Sequence, residues 1–338
     1  MPGINEVAEL AGVSTATVSR ALSGNGAVSA TTKDKVVRAA AELGYVVSSN
    51  ASSLATGRTR NIGVVIPSLN HWFYSSVLQG AESSLLANGY DLTLYNLAGT
   101  GEERDSVFEH FLLRKRVDAV IAISLELTPQ ETSRLLALNK PTVGVGGPLP
   151  GVRTLSIDDV EVARLATEHL IALGHTMVAH IGGTEDFERD FHLPTNRRIG
   201  YEAAMEAAGI PVDPDLFQPA DFTLPGGYRA AKQLFGNPRK RPSAVFAASD
   251  EMAIGTILAA RDMGMNVPGD VSVIGIDDHD LAEFFGLSTV AQYPDLQGRL
   301  AVELLMEQLH PESREVGGIN TALPYDLIVR ASTARRRG

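Results

Sequence analysis

Apolar positions near the start of the chain recur at helical intervals. Ala8, Leu10 and Ala11 make a short stripe that stops at Gly12, and Ser14 offers an oxygen to cap a new helix beginning at Thr15. Two short helices joined by a glycine-containing turn predict a helix-turn-helix. A third helix is predicted after Ser29, which caps it, with Gly44 closing it. Val36, Val37, Ala40 and Leu43 recur along it and can close a three-helix core. Residues 48–60 are then small and polar, with one large apolar side chain, Leu54. A flexible linker has no need of that leucine.

From Asn61 the pattern changes to apolar runs alternating with helical stretches. The runs beginning at Ile62, Asp91, Asp118 and Thr142 read as buried parallel strands, and a second series begins at Met177, Ala244 and Val271. Helices are predicted near 74–88, 102–114, 128–138, 159–173, 195–208, 226–235 and 250–263, with a late helix over 296–309 and a closing strand from Tyr325. Repeated strand–helix units predict doubly wound parallel sheets that bind ligands beyond the carboxyl ends of their strands. The fold class expected is therefore an all-α helix-turn-helix headpiece followed by an α/β core of two doubly wound lobes.

Composition fits that division. The 338 residues are 44% hydrophobic and 20% charged, as in an ordinary globular chain with room for more than one domain. A net charge of −11 argues at first against nucleic acid, but its distribution does not. Residues 1–60 hold six basic against four acidic side chains, a net +2 that leaves −13 on the remainder. A mildly basic head on an acidic body predicts steeply salt-dependent DNA binding, with two heads needed per site. Without cysteine there is neither a disulfide framework nor a thiolate metal site. No apolar run reaches membrane-spanning length and the start lacks a signal-peptide profile, so a cytoplasmic location is expected.

Val7-Ala-Glu-Leu-Ala-Gly-Val-Ser-Thr-Ala-Thr-Val-Ser-Arg20 is followed in order by Val28-Ser-Ala-Thr-Thr, Gly44-Tyr and Ser53-Leu-Ala. Residues 7–60 thus resemble the headpiece of the LacI/GalR family of bacterial transcription regulators, and the body resembles that family's type I periplasmic-binding-protein-like core. The resemblance implies a headpiece over 1–47, a hinge over 48–60 and a two-lobed core over 61–338. Within the core it implies a first lobe of about 61–158 and 293–315, and a second of about 159–292 and 316–332.

It further implies DNA contacts from Thr15, Ala16, Thr17, Ser19, Arg20, Ser29, Asn50, Leu54 and Ala55, on a palindromic operator bound by a homodimer. Leu54 would wedge into the minor groove from a hinge helix. For a small-molecule effector it implies Trp72, Phe73, Arg197, Phe222, Ser249 and Asp277. Gly146 stands where several sugar-binding members carry aspartate, and residues 184–195 do not align cleanly. The aromatics with Arg197 and Asp277 favour a sugar. A purine or nucleoside acting as corepressor, or an activator, is the alternative. Asp250 reads as the cap of the helix that begins there, and His175 as a structural residue. No nucleophile–base pair and no metal cluster emerges: Asp277-Asp-His279-Asp lacks the further oxygen ligands a hard metal needs. An enzyme is not expected, nor a metal or cofactor.

Overall fold

The computed structural model describes residues 2–23, 28–45, 58–97, 104, 106–107, 117–125, 127–183, 192–310 and 320–336. The chain forms two compact units, residues 1–60 and 61–338.

The first unit holds α1 (Ile4–Ala11), α2 (Thr15–Ser23) and α3 (Ala30–Leu43). Local chemistry sets their ends. The Ser14 hydroxyl accepts from the Thr17 amide at 3.2 Å and the Ser29 hydroxyl from the Thr32 amide at 3.3 Å. Gly12 and Gly44 close α1 and α3 in the left-handed conformation, at φ 65° and 61°. Val7, Ala8, Val18, Ala21, Val36, Ala39 and Ala40 form the core, with Ile4, Ala11 and Leu43 against it. Two expected core residues lie outside it: Leu10 is 48% exposed and Val37 47%. The buried stripe of α1 is Ile4, Val7, Ala8 and Ala11, the full i, i+3, i+4, i+7 set, and a helix presenting those positions turns Leu10 away.

The second unit is built on two six-stranded sheets. The first contains β1 (Asn61–Ile66), β2 (Asp91–Asn96), β3 (Ala119–Ile123), β4 (Thr142–Val145), β5 (Arg153–Ser156) and β11 (Asn320–Ala322), ordered β11-β5-β4-β3-β1-β2. The second contains β6 (Val178–Gly182), β7 (Phe217–Pro219), β8 (Ala244–Ala247), β9 (Ser272–Asp277), β10 (Ser288–Ala291) and β12 (Asp326–Ile328), ordered β12-β10-β9-β8-β6-β7. All pairings are parallel except β10 with β12. The central strands β3, β4, β8 and β9 are buried along their whole length, which is why they read as continuous apolar runs.

The chain passes between the lobes at 157–158, 292–293 and 323–325. The third passage corrects the assignment of 316–332 to the second lobe, because β11 pairs with β5 in the first sheet. Nothing apolar marks that strand. Asn320–Ala322 is exposed throughout, and the Asn320 side-chain oxygen accepts from the Thr154 and Ser156 hydroxyls at 3.1 and 3.2 Å. Backbone pairing and two hydroxyls place it.

In the first lobe, α4 (Trp72–Ala87), α5 (Pro129–Ala137) and α11 (Pro294–Leu309) accompany the sheet. The second has α6 (Asp159–Ala172), α7 (Leu193–Ala207), α8 (Leu224–Gly236), α9 (Asp250–Asp262) and the short α10 (Ala282–Phe285). Helix α4 crosses α11 through Gly80 and Gly298, so closely that a Cβ on either would lie 2.0 Å from a carbonyl oxygen of the other helix. Such an approach is open only to glycine, and it brings the starts of both helices to the cleft between the lobes. His175 is structural, as expected: its ring bonds to the Ser243 and Ser272 hydroxyls at 2.9 and 3.1 Å and to the Ala334 carbonyl at 3.0 Å.

Candidate functional site

On the headpiece, Thr15, Ala16, Ser19 and Arg20 are exposed along α2, while Val18 turns inward to the core. Thr17 is half-buried and its hydroxyl shares a hydrogen bond with Ser14 at 2.9 Å. The Arg20 Nε donates to the Ala16 carbonyl at 3.3 Å, laying the guanidinium along the exposed face. Small side chains, hydroxyls and one guanidinium on the first turns of a helix suit close approach to a DNA groove. Ser29 is exposed and its hydroxyl already serves as the cap of α3. Asn50, Leu54 and Ala55 lie outside the described residues.

Between the lobes lies a cavity of about 160 Å³ at the carboxyl ends of the central strands, where the doubly wound topology places ligands. The first lobe contributes His71, Phe73 and Tyr74 from the start of α4, Ser124 after β3 and Gly146 after β4. The second contributes Arg197 from α7, Phe222 before α8, Ser249 and Glu251 at the start of α9, and Asp277 at the end of β9. Gln292, on a connecting segment, joins them.

Arg197 is the electrostatic centre of this wall. It is buried, with Nε donating to Asp159 at 2.8 Å and Nη1 to the Ala248 carbonyl. Burial raises the Asp159 carboxyl above the ordinary value, and the Arg197 charge opposes that rise. Asp277 is pushed up to about 7 by burial, again against the pull of Arg197. It accepts from the Gln292 side-chain amide, and the Gln292 carbonyl in turn accepts from the Gln297 amide at 2.7 Å. Asp250 is pushed well above its usual range by burial and then by the Asp277 charge. The second lobe thus offers a guanidinium and carboxyl groups with raised proton affinity, and Gln292 adds a side-chain amide facing the same small space. Such a set recognises hydroxyl groups, which both donate and accept. Among the described residues no three His, Asp or Glu side chains converge as a metal site.

Of the six residues expected at the effector site, Phe73, Arg197, Phe222, Ser249 and Asp277 line the cavity. Trp72 does not. Its indole N–H donates to the Asp280 carboxylate at 3.0 Å and its ring lies 4.6 Å from that of His279, so it stands at the lip of the cleft with an acceptor from the opposite lobe. Asp250 does not cap α9. Ser249 caps α9, accepting from the Met252 amide, whereas Asp250 accepts from the His279 amide at 2.9 Å and the Thr289 hydroxyl at 2.7 Å. The carboxylate therefore fixes the turn after β9 instead of the helix start. His71, Tyr74, Glu251, Asp221 and Gln292 also line the cavity and were not read from the sequence. His71 and Tyr74 stand three apart around the predicted aromatic pair, and that helical spacing was the available signal. Of the unaligned loop, Phe187, Arg189 and Phe191 lie outside the described residues.

A helix-turn-helix unit together with a two-lobed core holding a polar cleft defines a ligand-responsive DNA-binding regulator. Residues 3–48 match the bacterial regulatory proteins of the lacI family, and residues 167–333 match the periplasmic binding protein-like domain. The chain is 35% identical to the HTH-type transcriptional regulator RegA of Clostridium saccharobutylicum, covering 98% of both chains. It is 36% identical to the ribose operon repressor of Escherichia coli (strain K12), over 91% of this chain and 93% of that one. Among solved structures it is similar to the lac repressor dimer bound to operator and the anti-inducer ONPF, with a TM-score of 0.85, 28% identity and coverage of 98% and 99%. The complex of the transcriptional regulator CelR with cellobiose gives a TM-score of 0.71 at 32% identity, covering 98% of this chain and 100% of that one. The chain belongs to the LacI family of DNA-binding transcriptional regulators, a family of regulators and not of enzymes. Among the described residues no helix is long and apolar enough to cross a membrane.

Proposed function

We propose that this chain is a repressor that binds a palindromic operator as a homodimer and is released by an uncharged sugar in the interlobe cleft. The observation that carries the reading is the joining of Arg197, Asp277 and Gln292 on one wall with Phe73 and Phe222 beside them. Hydroxyls satisfy the polar groups and the sugar's C–H face packs on the rings. Charge narrows the class. Asp159, Asp221, Glu251 and Asp277 all line the space, while Arg197 is already committed to Asp159 and the Ala248 carbonyl. With Arg197 on Asp159 and His71 on Glu251, the wall has no surplus positive charge to hold a phosphorylated or carboxylated sugar. The relatives agree in kind, since one is a repressor of a ribose operon and another is held with cellobiose.

On DNA, Thr15, Ala16 and Arg20 address base edges, and Thr17, Ser19 and Ser29 address phosphates. Asn50, Leu54 and Ala55 act from the hinge, with Leu54 as the minor-groove wedge. Closing or opening of the cleft changes operator affinity through differential binding to the two states. The test is operator binding by fluorescence anisotropy at fixed salt, against uncharged pentoses, hexoses and disaccharides, nucleosides, and the phosphates of the same sugars. An uncharged sugar weakens operator binding at least about tenfold, and Asp277→Asn loses that response while keeping operator affinity. A response confined to phosphorylated sugars or to nucleosides would overturn the assignment.

A further inference from the structure

The two residues that open α4 reach across the mouth of the cleft. His71 Nδ1 lies 3.6 Å from the Glu251 carboxylate, on the first turn of α9. Phe222 and Asp221, both on the segment before α8, stand close enough to His71 to raise its affinity for a proton. Its neighbour Trp72 donates to Asp280 at 3.0 Å and stacks on His279, both in the turn between β9 and α10. Two consecutive side chains of the first lobe thus engage three separate segments of the second, over a cavity that His71 and Glu251 themselves line.

We infer that His71 and Trp72 form a clasp that holds the lobes together over the effector site, so that an effector enters only when the clasp parts. Each contact is individually weak because the groups are half-exposed. Together they bias a two-state closure by a modest ratio, which suits a gate that must open often.

The clasp has a built-in sensitivity to protons. His71 is held above the ordinary imidazole value, first by its bond to Glu251 and further by the charges of Glu251 and Asp221 and by the Phe222 carbonyl. From its own helix the Tyr74 ring stands edge-on to it at 5.8 Å. His71 therefore holds its proton to higher pH than a free imidazole does and gives it up as pH rises further, and the ion pair goes with it. The other histidine of the clasp acts differently. Burial lowers His279, and its Nδ1 accepts from the Leu281 amide at 2.9 Å, so it packs against the indole as a neutral ring.

The chain has no cysteine, so two can be introduced as unique label sites. Ser83→Cys on α4 and Glu283→Cys on α10 are exposed positions in opposite lobes, and spin labels there report the interlobe distance in the full-length, ligand-free protein. At pH 6 the pair gives one dominant short distance. Glu251→Gln raises the ratio of long to short distance roughly fivefold, the ratio that one half-exposed pair sustains. Raising the unsubstituted protein from pH 6 to pH 9 does the same, and Glu251→Gln flattens that pH response. Asp280→Ala, which removes the acceptor of the indole, opens the lobes from the other end of the clasp and stands in should Glu251→Gln fold poorly. Identical distance distributions in both variants and at both pH values overturn the clasp. Because no effector or DNA is present, that failure would leave the proposed sugar-released repression standing, and the operator assay could fail while the clasp held.

Discussion

Replacing Arg197 with methionine keeps much of the side-chain volume and removes the charge that offsets the burial of Asp159 and Asp277. The consequences follow from geometry. Asp159 loses a 2.8 Å donor, the Ala248 carbonyl loses another, and Asp277 loses the group that opposes its desolvation. Breaking one side of a buried ion pair costs about 3–5 kcal/mol, and at roughly 2 °C per kcal/mol for a domain of this size the melting temperature should fall by about 6–10 °C at pH 8. The loss depends on pH with a definite sign. Both carboxyls already have folded values raised above their unfolded ones, so they weaken the folded state as pH climbs from about 4 through those raised values. Without Arg197 that window reaches higher, and as pH falls toward 5 both groups take up protons more readily and the penalty shrinks. Thermal melts of Arg197→Met at pH 5 and pH 8 measure this, with Arg197→Met/Asp159→Asn as the partner variant. The double variant should recover the larger share of the loss at pH 8. An equal drop at both pH values, or no recovery in the double variant, would refute the argument. A loss of effector response in Arg197→Met must therefore be read against its stability, since the residue holds the wall together as well as facing the cavity.

Three further outcomes are expected. His180 is fully buried, stacked between Tyr201 and Phe246, and burial pushes it down to about 4. Its neutral form thus stabilises the fold above the unfolded value of about 6.5, and this is lost as pH falls toward 4, about 2 kcal/mol of it by pH 5; urea midpoints of His180→Leu should fall less between pH 7 and 5 than those of the unsubstituted chain, and equal falls would exclude His180 as the source. Gly298→Ala places a methyl 2.0 Å from the Val77 carbonyl and should cost at least about 1–3 kcal/mol. Gly236→Ala, at the end of α8 with nothing within 4 Å of the added carbon, should be neutral or slightly stabilising in the same melts. A tolerated Gly298→Ala would show that α4 and α11 can separate without loss.

What the sequence disclosed was local chemistry and full burial. The caps at Ser14 and Ser29 and the left-handed glycines at 12 and 44 act within a few residues, so spacing alone located the headpiece helices. Strands such as Ala119–Ile123 are apolar at every position because both faces are covered. The strands that went unread, β5, β7, β10 and β11, are three or four residues long, and β11 has no apolar side to recognise. The same limit applied at the cleft. Phe73, Arg197, Phe222, Ser249 and Asp277 could be placed because strand ends and a family pattern converge there. Trp72 could not, since the helix start that carries it turns its ring toward Asp280 and His279, some 200 residues away along the chain. Ser249 and Asp250 show how narrow the margin is: adjacent polar residues at a helix start, one capping it and the other bonding to a distant turn.

The triple passage between lobes has a consequence for how the chain is made. The first sheet receives its sixth strand only when Asn320–Ala322 has been synthesised, and α11, which packs on α4, begins at Pro294. The residues between β5 and α11 take roughly 10–30 s to emerge at ordinary translation rates. Throughout that interval the first lobe stands with one edge and one helix face uncovered. The stretch from Val178 to Ala291, by contrast, supplies five of the six strands of the second sheet in one uninterrupted run. The lobe that is translated later can therefore mature earlier, and the exposed first lobe is where a ribosome-associated chaperone would find its longest-lived target.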